Sequence, residues 1–143
     1  MNDDKITLFL ADDNQMVIDG VKALVANDLH LEVIGYCNDG MEVLEKVAAA
    51  QPDVLVLDIS LPGVNGLNLC RMVKEKVPET SVIMLSMNAS ERIVMGAFQN
   101  GASGYLTKES VSGEFCAAIR AVNNGENYLA PGISERVLER VGR

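Results

Sequence analysis

Short apolar runs alternate along this chain with stretches in which apolar residues recur at helical spacing. Residues 6–11, Ile-Thr-Leu-Phe-Leu-Ala, form a β-rich run that ends in two aspartates. Across residues 14–28, Val17, Val21, Leu24 and Val25 lie on one helix face. Residues 31–36 read as a second strand, and residues 39–50 as a helix carrying Met41, Val43, Leu44 and Val47. Pro52 interrupts the chain before residues 53–58, Asp-Val-Leu-Val-Leu-Asp, a nearly continuous apolar strand. Pro62 and Gly63 mark a turn, and Asn65 is placed to cap a helix running to about Val77. Pro78 stops that helix, residues 81–86 supply a fourth strand, and residues 90–100 a helix with Gly101 as its stop. A short fifth strand over 103–107 precedes a last amphipathic helix, 112–123, that Gly125 ends.

Strands that each lead into a helix predict a parallel sheet with helices on both faces. Strands buried on both faces carry continuous apolar runs in place of alternation, as 53–58 and 81–86 do. Right-handed crossovers leave few topologies. The expectation is an α/β, doubly wound, flavodoxin-like fold with a five-stranded parallel sheet in the order 2-1-3-4-5.

At 143 residues the chain suits one domain, and 48% hydrophobic with 22% charged residues places it among folded globular chains. Its 20 Asp plus Glu against 12 Lys plus Arg leave a formal charge of −8, which argues against this segment gripping DNA, RNA or an anionic membrane by itself. Cys37, Cys70 and Cys116 are too far apart for a CxxC redox pair or a zinc grouping, and read as small hydrophobes in a reducing compartment. His30 is the single histidine, so sites that need two imidazoles are out. The first five residues are polar and acidic, the reverse of a secretory signal, and no apolar run approaches the roughly 18 residues of a membrane span. The expected setting is cytoplasmic, with no membrane partner.

Ligands of open α/β sheets sit in the crevice beyond the carboxyl ends of the strands. The polar residues at those ends are Asp12 and Asp13 after the first strand, Asp58 closing the third, Ser86 closing the fourth and Lys108 just past the fifth. Singly each has a bland explanation, because Asp favours turns, Ser ends many strands and Lys is usually solvated. Together they are harder to dismiss. Three carboxylates brought close repel and raise one another's pKa, and a hard divalent cation such as Mg²⁺ relieves that repulsion. Lys108 adds a mobile positive charge and Ser86 a hydroxyl donor. Metal, ammonium and hydroxyl are the parts that stabilise a transferring phosphoryl group, with the Asp58 carboxylate as nucleophile.

Paired Asp12-Asp13, the segment Asp58-Ile-Ser-Leu-Pro-Gly-Val-Asn-Gly66, Ser86 and Gly104-Tyr-Leu-Thr-Lys108 together resemble the receiver domain of bacterial two-component response regulators, over residues 5 to about 125. The resemblance implies that Asp58 accepts phosphate from a sensor histidine kinase. It also implies Mg²⁺ binding by Asp12, Asp13, Asp58 and the backbone carbonyl of Ser60, contact of Lys108 with the phosphate, and a switch pair formed by Ser86 and Tyr105. Such a domain is a phosphoacceptor that promotes its own phosphoryl transfer and dephosphorylation, not a classical enzyme, and forms a homodimer on phosphorylation. As Ser86 moves toward the phosphate, the Tyr105 ring is expected to turn from an exposed to a buried rotamer and change the surface formed by residues 87–125. Two departures stand out. Glu109 follows Lys108 where many receivers carry proline, and Ser86 stands where threonine is also common.

Residues 126–143 add an element that a minimal receiver, residues 1–125, does not need. Pro131, Val137, Leu138 and Val141 predict a short amphipathic helix, with Glu126, Glu135 and Glu139 balancing Arg136, Arg140 and Arg143. The stretch from Lys108 through Ile119-Arg-Ala-Val-Asn-Asn-Gly-Glu-Asn-Tyr-Leu-Ala-Pro131 is similar to the end of NarL/LuxR (FixJ)-type receivers, which a helix-turn-helix DNA-binding domain follows. The resemblance implies a linker to such a domain, itself absent here, and hence a fragment of a transcription regulator. The alternative is a stand-alone regulator acting by protein contact. Other classes fare worse. A haloacid-dehalogenase-type hydrolase needs a second acid where Ser60 stands, and a nucleotide site needs glycines where Ala11-Asp-Asp-Asn14 has none. With no basic recognition helix in the 143 residues, a mobility-shift assay on promoter DNA at near-physiological salt should give no sequence-selective complex. A salt-dependent, selective shift would overturn that expectation.

Overall fold

The apolar runs become strands and the amphipathic stretches become the helices between them. The computed structural model describes residues 5–87, 90–130 and 133. In chain order the elements are β1 (Ile6–Ala11), α1 (Gln15–Ala26), β2 (Leu31–Cys37), α2 (Gly40–Ala50), β3 (Val54–Asp58) and α3 (Gly66–Lys76). They continue with β4 (Ser81–Ser86), α4 (Glu91–Gln99), β5 (Gly104–Thr107), α5 (Val111–Asn123) and β6 (Tyr128–Leu129). Local chemistry sets the helix starts: the side chains of Asn14, Asp39, Asn65 and Ser90 each accept an amide of the first turn that has no partner inside its helix. Gly101 and Gly125 take positive φ just beyond the ends of α4 and α5, a conformation that a side chain would resist.

The strands lie in the order β2-β1-β3-β4-β5-β6, and every neighbouring pair is parallel. The first five follow the expected order. The sheet nevertheless has six strands where five were expected, because Tyr128 and Leu129 leave the tail to pair with β5. Two residues carry no readable period, so nothing in the sequence pattern announces this strand. What holds it is the open edge of β5: the Tyr128 N–H donates to the Ser103 carbonyl at 2.9 Å and the Ala130 N–H to the Tyr105 carbonyl at 3.1 Å. The amphipathic helix expected around Val137, Leu138 and Val141 lies outside the described residues.

Alternate strand residues feed two cores. On one face Phe9, Leu55, Leu57, Val82, Met84 and Tyr105 pack under α2, α3 and α4. On the other, Leu8, Leu10, Val54, Val56, Ile83, Leu85 and Leu106 pack under α1 and α5. The central strand β3 is buried along its whole length, which accounts for its unbroken apolar run. Cys37 and Cys70 are buried and all three cysteines are free; burial pushes the Cys70 thiol up to about 12, consistent with an inert core residue. Among the described residues no helix is long and apolar enough to cross a membrane.

Two glycines separate packing from propensity. A Cβ on Gly66, at the start of α3, would collide with the backbone of Ile59, next to Asp58. A Cβ on Gly20, within α1, would meet nothing within 4 Å. Gly66→Ala should therefore destabilise the fold by about 1–3 kcal/mol, whereas Gly20→Ala should stabilise it by roughly 0.5–1 kcal/mol. Urea unfolding of the two variants checks both signs.

Candidate functional site

Because β1, β3, β4 and β5 all run in one direction, their carboxyl ends meet along one edge of the sheet. Asp12 follows β1, Asp58 ends β3, Ser86 ends β4 and Lys108 follows β5, so four residues remote in sequence converge. Asp12 and Asp58 are 2% and 1% exposed; Asp13 is exposed and borders the solvent. The Lys108 Nζ reaches across to both buried carboxylates, 3.2 Å from Asp12 Oδ2 and 3.3 Å from Asp58 Oδ2. Its backbone is tied in as well, with the Lys108 N–H donating to the Ser86 carbonyl at 2.9 Å.

Each carboxylate has a distinct local anchor. The Asn14 N–H donates to Asp12 Oδ1 at 2.9 Å, closing the turn into α1. The Ser60 N–H and Oγ both donate to Asp58 Oδ1, each at 3.0 Å, which leaves Oδ2 facing Lys108. From β2's loop the Asn38 side-chain amide donates to the Asp12 carbonyl at 2.8 Å. Sequence reasoning missed these three supports. Asn14 and Ser60 were visible as polar residues two positions after an aspartate, a turn signature, while Asn38 comes from a neighbouring strand and carries no such signal.

One cation serving two buried carboxylates leaves a deficit. Burial pushes the Asp12 carboxyl up; the Asn14 amide opposes this, the Asp58 charge adds to it, and Lys108 offsets only part. For Lys108 burial is the largest influence and favours the neutral amine, yet the hydrogen bond to Asp12 and the charges of Asp58 and Asp12 outweigh it and hold the ammonium above its ordinary range. Asp12 Oδ2, though close to Nζ, is out of line for a hydrogen bond and is a buried oxygen without one. One oxygen from each of Asp12, Asp13 and Asp58 lies within 4.8 Å of the others. An all-oxygen, negatively charged set with an orphaned buried oxygen fits a hard divalent cation such as Mg²⁺.

Tyr105 differs from expectation. Its ring is fully buried, 0% exposed, so no inward turn is left for it to make. It shares a hydrogen bond with Ser86, and burial raises its phenol above the ordinary range while that bond opposes the shift.

A family model described as the response regulator receiver domain matches residues 8–120. The chain belongs to this family. Among similar proteins, the transcriptional regulatory protein DegU of Brevibacillus brevis is 32% identical over the full 143 residues, and the transcriptional activator DevR/DosR of Mycobacterium tuberculosis is 35% identical over 124. The receiver spans about three-fifths of the length of these relatives, 61% and 57% respectively, and 100% and 87% of its own length is aligned. A LuxR-family response regulator from Aurantimonas superposes with a TM-score of 0.87 at 27% identity, covering 97% of this chain and 99% of that one. The signal receiver domain of NarL from Mycobacterium tuberculosis gives 0.82 at 30% identity, covering 87% and 100%. This receiver is thus of the NarL/LuxR type, a signalling domain and not a classical enzyme.

The raised Asp12 carboxyl has a consequence for stability. A carboxyl with a folded pKa above its unfolded one loses stability as pH rises through the unfolded value toward the folded one. At pH 8 and without metal, Asp12→Asn should raise the urea midpoint of the receiver, and the same variant should lose the stabilisation that Mg²⁺ gives the parent. A lower midpoint in metal-free buffer would show that the Lys108 pair outweighs the burial cost.

Proposed function

We propose that this receiver is phosphorylated on Asp58 by a sensor histidine kinase in the cytoplasm, with Mg²⁺ as cofactor, and that the phosphorylated form controls a transcriptional output. The observation that carries the assignment is the Asp58 carboxylate. It is buried at a strand end, with Oδ1 held by two donors from Ser60 and Oδ2 left facing an ammonium. Oδ2 is then the attacking atom. A bond forms from it to phosphorus as the donor's phosphorus–nitrogen bond breaks, and the donor imidazole leaves with that electron pair.

Asp12, Asp13, Asp58 and the Ser60 carbonyl would hold Mg²⁺, which when bound supplies positive charge to the phosphoryl oxygens. Lys108 then moves from the two carboxylates to the phosphoryl group, and Ser86 donates its hydroxyl from the end of β4. The product adds roughly −1.5 to −2 charges and three acceptor oxygens at this edge of the sheet. Ser86 and Tyr105 are the switch pair that senses it, and the surface of residues 87–125 carries the change. Residues 126–143 would lead to a DNA-binding output domain, with pairing of two phosphorylated copies. Support for these last points is kinship with DegU and DevR/DosR, which are transcriptional regulators by name.

Acetyl phosphate with Mg²⁺ should label the chain on Asp58, located by mass spectrometry, and chelation of the metal should abolish labelling. Asp58→Asn keeps the size of the side chain, removes the nucleophile and should stay unlabelled. Full labelling of that variant at another residue would sink the assignment.

A further inference from the structure

The ladder between β1 and β2 falls out of step at one point. Leu8 pairs with Val33 and Phe9 with Gly35, so Ile34 is an extra residue with no partner on β1. Gly35, just past this bulge, leaves room for the Phe9 ring, which a Cβ there would meet at 2.8 Å. Pairing then continues as far as Ala11 opposite Cys37, which brings Asn38 beside Asp12. Without the extra residue Cys37 would stand beside Asp12, and Asn38 one place further on. The last backbone rung is the Asp12 N–H donating to the Cys37 carbonyl at 3.1 Å. The Asn38 side chain adds one more, its Nδ2 donating to the Asp12 carbonyl at 2.8 Å.

That added rung bears on Asp13. Its side chain is exposed, yet one of its oxygens lies within 4.8 Å of oxygens of the buried Asp12 and Asp58. The peptide entering Asp13 carries the Asp12 carbonyl, held by Asn38; the peptide leaving it carries the Asn14 N–H, held by Asp12 Oδ1 at 2.9 Å. Asp13 is thus fixed on both sides, and the hold on its entering side comes from another strand. A carbonyl only accepts, so it is the amide nitrogen of Asn38 that faces it. We infer that Asn38 is a positioning residue for the metal site: from the end of the bulged β2 it fixes the Asp12–Asp13 peptide and so holds the Asp13 carboxylate beside those of Asp12 and Asp58. The inference rests on Mg²⁺ binding by these three carboxylates. A carboxylate already in place loses less conformational freedom when the cation arrives, which strengthens binding. Without the amide, water takes its place on the Asp12 carbonyl and the peptide is free to turn.

Mg²⁺ titration of the 143-residue chain, followed by its amide resonances, reads the affinity without any phosphoryl transfer. Asn38→Ala should weaken Mg²⁺ binding on the order of tenfold. Asn38→Leu keeps the size of the side chain but donates no hydrogen bond; it should act alike, and serves if the alanine variant fails to fold. Because Asn38 is exposed, the urea midpoint in metal-free buffer should stay close to the parent's. In an Asp13→Ala background, where binding is weaker at the outset, Asn38→Ala should change the affinity by less than about twofold, since the carboxylate it positions is gone. A merely structural role for Asn38 would not produce that dependence. Mg²⁺ affinity unaltered by both substitutions, whatever the urea midpoint does, would overturn the inference. So would a loss that persists undiminished in the Asp13→Ala background. In either case the parent still binds Mg²⁺, and the metal assignment stands. A parent chain that binds no Mg²⁺ removes both.

Discussion

Two carboxylates buried at the ends of neighbouring parallel strands, with one ammonium between them, are the constraint around which this receiver is arranged. β1 and β3 are adjacent, so the residues that end them cannot be far apart. Asp12 and Asp58 are both nearly without solvent, and two like charges at that depth repel strongly unless a cation lies between them. Lys108 is that cation, brought from the far side of β4 by a chain that is itself pinned to the Ser86 carbonyl.

That arrangement is deliberately incomplete as a salt bridge. One Nζ cannot satisfy four carboxylate oxygens, and Asp12 Oδ2 remains buried without a hydrogen bond. The deficit makes the site receptive to a second cation, which would relieve repulsion that the chain alone leaves unrelieved. Stability lost at the edge of the sheet is offset by the two cores beneath it, where strand residues are fully buried on both faces. The glycine that starts α3 belongs to the same design, since only an absent side chain lets that helix approach Ile59 and hold the Asp58 turn in place.

From this edge the path to the rest of the molecule is short. Ser86 ends β4 opposite Thr107 on the next strand, where Tyr105 pairs in register with Met84 on one side and with Leu129 of β6 on the other. Asp58, at the end of β3, is therefore separated from β6 by two strands, β4 and β5.

Much of this was legible in the residues alone. Apolar runs of four to six positions, proline stops and asparagine caps determined where strands and helices fall, because those signals act within a few residues of backbone. The carboxylates, Ser86 and Lys108 were legible too, since a parallel sheet puts every strand's carboxyl end on one edge. Tertiary structure alone decided the rest. The two-residue β6 has no periodicity to read and exists because β5 offers an open edge. Asn38 becomes a support for Asp12 only because β2 lies beside β1. The full burial of Tyr105 is likewise a matter of tertiary packing, since its strand is flanked by β4 and β6 and its cluster draws residues from several elements. Each of these contacts joins residues that are distant in the chain, and a pattern with a period of two or 3.6 residues carries no information about such partners.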